Sequence, residues 1–373
     1  MTTLDQRIVV VGSGHAGVEL AAALRQHGHT GPVTIVGDEP DLPYQRPPLS
    51  KEFLKSSADA GLPLKGEAFY AAKDVTLRLG RHAASIDRER RELELAGGER
   101  LAFDHLVLAT GARNRIPPIP GLDRAPMLEL RTLADARLLH ERLDSLRHVA
   151  VVGGGFIGLE VAALLRVRGI AVDLVEATPR LMGRVLSARM SAHFRFHHEA
   201  LGTRLHFETL VRGVHEAARG CSVALSSGET LETDAVLVAA GVTPNTELAQ
   251  RAGLEVGNGI VADARLVTSD PAISAIGDCV AYPNVHAGGM ARLESVQNAV
   301  DQARAVAARL AGKPASPYTA LPWFWTDQGD MKLQIAGLSE GFDTPVLLGD
   351  AAARQFSVLC FRAGKLIAVE SCN

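Results

Sequence analysis

Residues 8–24, IVVVGSGHAGVELAAAL, return 141 positions later as residues 149–165, VAVVGGGFIGLEVAALL. Nine of the seventeen aligned positions are identical, including Gly12/Gly153, Gly14/Gly155, Gly17/Gly158 and Glu19/Glu160. A period this long excludes a solenoid and predicts one domain type used twice. Each copy opens on a continuous apolar run, as a buried parallel strand requires. Gly-x-Gly-x-x-Gly follows, then an Ala- and Leu-rich helix that should stop near Gly28 or Gly169. A second apolar strand comes next, Val33 to Val36 or Ala171 to Val175. This is β-α-β twice, with the dinucleotide-binding fingerprint in its required context.

Each glycine has its own task. The first (Gly12, Gly153) permits the turn out of the strand. The second (Gly14, Gly155) lets backbone approach a pyrophosphate. The third (Gly17, Gly158) lets helix and strand pack closely. Ala16 and Ile157 stand in the first helical turn, whose free N–H groups suit phosphate. An acid should close the second strand to hold ribose hydroxyls. Asp38 and Glu39 are the candidates in the first copy, and Glu176 in the second.

Further apolar strands end in small residues that let a ligand lie against backbone. They are Leu106 to Gly111, with Ala109, Thr110 and Gly111 at its end, and Val236 to Gly241. A third, Ile273 to Asp278, offers Gly277 and an acid, Asp278, for polyol hydroxyls. Chain order makes the second copy an insertion in the first. The expected domains are 1–112 and 245–313, forming the first nucleotide domain, 113–244 as the inserted second, and 314–373 as a small C-terminal α+β domain rich in strands. The fold class is therefore α/β, with two Rossmann-like domains and an appended third.

Other classes are disfavoured. Lys and Arg number 39 against 42 Asp and Glu, a formal net charge of −3, which does not suggest a nucleic-acid binder. The longest apolar stretch, Val149 to Leu165, holds four glycines and Glu160, so no membrane association is expected. The four cysteines, Cys221, Cys279, Cys360 and Cys372, form neither a CxxC pair nor a zinc spacing. No metal is expected. The default is a soluble protein of the reducing cytoplasm, a monomer or homodimer.

Three segments are more specific: GDEPDLPYQRPPLSK (37–51), LESVQNA (293–299) and WFWTDQ (323–328). With the doubled fingerprint, they make the chain resemble, over essentially its whole length, the FAD- and NADH-dependent ferredoxin reductases of oxygenase systems. That group belongs to the pyridine nucleotide-disulfide oxidoreductase superfamily. The resemblance implies FAD on the first unit and NADH on the inserted one. It also implies electron delivery to a [2Fe–2S] ferredoxin or rubredoxin-like carrier feeding a cytochrome P450 or a Rieske dioxygenase. By the same resemblance, Arg46 and Lys51 contact FAD, with Asp38 at the adenosine ribose and Ala83 at the adenine. Arg131 is a later contact, Asp278 serves the ribityl-pyrophosphate region, Val296 the ring edge and Trp325 the pocket wall. Lys51 and Glu160 pair near the nicotinamide as the catalytic groups, although the match with Glu19 also allows a shared structural role. Glu176 implies a preference for NADH, since a carboxylate repels a 2′-phosphate, while Arg180 and Arg184 favour phosphates. The family's third domain runs further than Glu370-Ser371-Cys372-Asn373, with a helix after the last strand.

Rivals lack their chemistry. A disulfide reductase needs paired cysteines early in the chain, and no cysteine precedes Cys221. An NADH-dependent flavoprotein oxidase needs a reactive cysteine in the same region. A signalling flavoprotein like apoptosis-inducing factor wants a basic face, which the net charge does not suggest.

Overall fold

A computed structural model of the chain describes residues 3–56 and 62–373. The chain forms two compact units. The first comprises Met1–Gln45, Ala60–Arg113 and Pro244–Trp323; the second comprises Arg46–Asp59, Asn114–Thr243 and Phe324–Asn373.

In the first unit, five parallel strands line up in the order Ile273–Ala275, His105–Leu108, Ile8–Val11, Val33–Val36, Val75–Arg78. Ile8 to Val11 is buried on both faces, which is why the run does not alternate. The helix His15–Gln26 follows, and it packs against the helix Val296–Leu310. The latter carries Ser295 as N-cap, its side chain accepting from Asn298 N.

The second unit repeats the plan. Its parallel order is Arg204–His206, Ala171–Val175, His148–Val152, Ala235–Val238, Met127–Leu128. The helix Phe156–Val167 follows the central strand. In both copies the helix stops the same way. Gly28 and Gly169 adopt φ +82° and +79°. The next residues, His29 and Ile170, then donate to Leu24 O and Leu165 O at 3.0 and 2.9 Å. Only a residue without Cβ takes that left-handed turn cheaply.

The second unit also holds a five-stranded sheet, in the order Trp323–Gln328, Met331–Gly337, Lys365–Cys372, Gln355–Arg362, Thr344–Asp350. Four of its strands, from Met331–Gly337 to Thr344–Asp350 in that order, pair antiparallel with their neighbours. Among the described residues, no helix is long and apolar enough to cross a membrane.

Candidate active site and nucleotide turns

The fingerprint glycines divide as their tasks require. Gly12 and Gly153 have φ +121° and +111°. A Cβ there would stand 2.0 Å from Ala109 O and 2.4 Å from Ala239 O. At Gly17 and Gly158 it would stand 2.0 and 2.2 Å from the carbonyl oxygens of Gly12 and Gly153. These four glycines are needed by the fold. Gly14 and Gly155 are different. Each is an N-cap with negative φ, and a Cβ would meet nothing within 4 Å among the described residues. Neither conformation nor protein packing demands glycine at either place. The open space suits the close approach of a ligand, and among the described residues neither helix start has a side-chain cap. Both turns thus fit a dinucleotide.

The difference makes a prediction. Gly155→Ser supplies a good N-cap residue into open space, so stability should hold or rise. NADH binding should weaken about tenfold, roughly 1.4 kcal/mol. Calorimetric unfolding beside NADH titration checks both halves.

Around the first turn, Ala16 is buried, and a Cβ on Gly277 (φ +78°) would touch it at 3.4 Å. Gly277 N donates to Gln302 Oε1 at 2.7 Å, which fixes the strand end carrying Asp278. Val296 begins the helix that holds Gln302. Thr110 Oγ1 donates to Asn245 O at 2.6 Å and Asn245 Nδ2 returns to Thr110 O, beside Gly111 (φ +65°). Asp38 is exposed after its strand, and Glu39 accepts from Tyr44 Oη at 2.5 Å. Ala83 is buried on the strand Ala83–Asp87.

Around the second turn, Glu176 accepts from Gly154 N at 2.7 Å, and from Thr178 N and Oγ1 at 2.8 and 2.7 Å. The strand-end acid is therefore tied to the fingerprint itself. Arg180 is turned inward on its own loop, donating to Leu186 O and Gly183 O. Arg184 is exposed beside Gly241, whose Cβ would lie 3.7 Å from Nη2. Of the two arginines, Arg184 is the one left facing outward. Ile157 is 42% exposed in the first turn of its helix.

The charged centre of the second unit is Lys51 and Glu160. Pro47 and Pro48 open a short 3-10 turn over Pro47–Ser50, where their missing N–H groups cost nothing. Lys51 caps that turn, and its Nζ reaches Glu160 Oε2 at 2.7 Å. Glu160 is 5% exposed. Ser50 Oγ and Thr326 Oγ1 also bond to it, the second at 2.6 Å. Its repeat mate has another life: Glu19 meets Arg304 at 2.6 Å on the neighbouring helix. Identical positions thus do not share a role. Arg46 Nη1 donates to Arg131 O at 2.5 Å, bringing those two together, and Arg131 N bonds Asp135. Trp325 is half-buried on the strand that carries Thr326.

Ser50, Thr326 and Gln328 are polar site residues that sequence reasoning passed over. WFWTDQ alternates, so Phe324, Thr326 and Gln328 share a face. That pattern was the available signal. Phe324 meets Phe156 edge-on at 5.2 Å, and Thr326 meets Glu160. Two residues along a strand and four along a helix both advance about 6–7 Å, so the two rows match.

The thiols are buried and held in the protonated form. All four cysteines are free and buried. Burial pushes Cys360 up to about 12 and Cys372 up to about 11, and raises Cys221 and Cys279. None is a ready thiolate.

Comparison with known proteins agrees with this geometry. Residues 6–303 match the family model described as pyridine nucleotide-disulphide oxidoreductase, and 323–373 match the reductase C-terminal model. Rhodocoxin reductase of Rhodococcus erythropolis is 47% identical over 368 residues, covering 98% of this chain and 86% of that protein. A rubredoxin-NAD(+) reductase of Pseudomonas putida is 39% identical, over 98% and 95%. Among solved structures, a ferredoxin reductase from Rhodopseudomonas palustris superposes with a TM-score of 0.96 at 47% identity, covering 98% of this chain and 91% of that one. Putidaredoxin reductase in its covalent putidaredoxin complex gives 0.94 at 38%, covering 99% and 90%. With two open nucleotide turns, no reactive thiol among the described residues and matches along nearly its whole length, the chain belongs to the pyridine nucleotide-disulphide oxidoreductase family, in its ferredoxin-reductase branch.

Proposed function

We propose that this protein passes electrons from NADH through FAD to a [2Fe–2S] ferredoxin that feeds an oxygenase. The observation that carries the reading is the pair of turns at Gly14 and Gly155, left open where neither φ nor packing among the described residues requires glycine. The named ferredoxin reductases among its relatives supply the electron acceptor's class.

Gly12, Gly14, Ala16, Gly17, Asp38, Glu39, Ala83, Ala109, Thr110, Gly111, Gly277, Asp278 and Val296 would hold FAD in the first unit. Gly153, Gly155, Ile157, Gly158, Glu176, Arg184 and Gly241 would hold NADH in the second. Arg46, Lys51, Arg131 and Trp325 are assigned to the flavin by family likeness. When bound, FAD accepts a hydride and gives up its two electrons singly. The chain's own work is placement and electrostatics. Lys51 and Glu160 are the catalytic pair: the buried Glu160 carboxylate keeps the Lys51 ammonium at a fixed point, and the hydroxyls of Ser50 and Thr326 hold that carboxylate still. The buried free thiols suit a reducing cytoplasm.

Glu176 sets the nucleotide preference. Its carboxylate accepts hydroxyls and repels a phosphate, and Arg180 is occupied within its loop. NADH should therefore exceed NADPH in kcat/KM, and a preference for NADPH would refute this role.

The function is tested by following cytochrome c reduction by the FAD-loaded protein and NADH, with and without a [2Fe–2S] ferredoxin. Ferredoxin should accelerate it. A rubredoxin is the second candidate acceptor, favoured by the rubredoxin-NAD(+) reductases among the relatives. If neither carrier accelerates electron delivery, the reading fails.

A further inference from the structure

The hydrogen bonds around Glu160 have a direction that can be worked out from the carboxylate outward. A carboxylate only accepts, so the single proton of Thr326 Oγ1, at 2.6 Å, is committed to Glu160 Oε1. Gln328 Nε2 lies 3.3 Å from that same hydroxyl oxygen. With its proton already committed, the hydroxyl can only accept here, so Gln328 presents its N–H. The amide orientation follows, and Oε1 faces His198 Nε2 at 2.9 Å. His198 must then carry its proton on Nε2. Its Nδ1 is bare, buried and without a hydrogen-bond partner among the described residues. The ring is neutral, since burial pulls it down to about 4.

Thr326, Gln328 and His198 are all fully buried. Polar groups are costly there unless every one is satisfied. Apolar side chains would pack such a contact more cheaply. Here the donors instead line up toward one carboxylate oxygen, the one opposite the oxygen that receives Ser50 and Lys51.

We propose that Thr326 and Gln328 are positioning residues for Glu160, forming with His198 a one-way hydrogen-bond chain that fixes the carboxylate against rotation and so fixes Lys51. The inference rests on the role given to Glu160 under the proposed function. It adds a strand of the C-terminal sheet to the machinery of hydride transfer, by way of residues that never meet the nucleotide.

Two variants and two readouts test it. Thr326→Val removes the hydroxyl at nearly constant volume, and Thr326→Ser keeps it. The FAD-loaded proteins are mixed with NADH in an anaerobic stopped-flow instrument. Thr326→Val should lower the limiting rate of flavin bleaching about tenfold, with the NADH dissociation constant unchanged. Thr326→Ser should return to within about twofold of the parent. In parallel, 15N NMR should show His198 of the parent protein with Nε2 protonated. In Thr326→Val the amide is released to turn, and the ring should become a mixture of tautomers. The inference is overturned if Thr326→Val bleaches at the parent rate, if Thr326→Ser does not rescue, or if the parent's His198 is protonated on Nδ1. A parent protein that NADH fails to bleach would sink the proposed function instead, and the tautomer of His198 would then decide the chain alone.

Discussion

Replacing Glu160 by Gln should slow hydride transfer from NADH about a hundredfold, the low end for losing one preorganised electrostatic group. Gln keeps the shape and still accepts from Thr326. It withdraws the negative charge that stands 2.7 Å from Lys51 Nζ. The Lys51 side chain is 18% exposed, so it can turn to water rather than stay buried unpaired. Unfolding temperature and FAD content should therefore change little while the rate collapses. Stopped-flow reduction beside calorimetry separates the two. A rate within threefold of the parent would show the carboxylate to be structural, like Glu19.

Asp173→Asn should destabilise the protein by about 3 kcal/mol, the low end for breaking a buried ion pair. Asp173 is fully buried in the strand Ala171–Val175. His148 Nε2 and Arg204 Nη2 reach Oδ2 at 2.5 Å each, and His206 Nε2 reaches Oδ1 at 2.7 Å. Register explains the gathering. Arg204 lies opposite Asp173, while His148 and His206 lie opposite Ala171 and Val175, two residues to either side. A period of two puts all four on one face. Burial opposes ionisation, but the three donors together outweigh it and hold the carboxyl below the usual carboxylate range. For a depressed carboxyl, the stabilisation is complete above the unfolded-state value of about 4 and is lost as pH falls through the native one. The parent should thus lose stability on acidification below about pH 4 more steeply than Asp173→Asn. Urea denaturation from pH 6 to 3 reads both. Parallel curves would exclude Asp173 as the linked group.

What the sequence shows and what it hides differ for a physical reason. The fingerprints are legible because turn, close approach and helix packing are settled within six residues. The helix stops at Gly28 and Gly169 and the strands Val33–Val36 and Ala171–Val175 are legible for the same local reason. Family likeness, rather than periodicity, pointed to the Lys51–Glu160 pair, which the structure brings to contact across 109 positions of chain. Nothing local separates Glu160 from Glu19, which occupy identical repeat positions and take different partners. Asp173 sat unremarked inside an apolar run because its partners come from two other strands. Ser50 and Gln328 were hidden likewise. Their importance is set by a carboxylate far away in sequence, and a hydroxyl or amide has no local signature of being a directed donor.

Conversion of one two-electron donor into single electrons for an iron–sulfur carrier is tested most directly by a single turnover without oxygen. The FAD-loaded protein is bleached with one equivalent of NADH, then mixed with excess oxidised [2Fe–2S] ferredoxin while flavin and cluster absorbance are followed separately. The flavin should recolour as two ferredoxins are reduced for each NADH consumed. A flavin that stays bleached while the ferredoxin remains oxidised would contradict it.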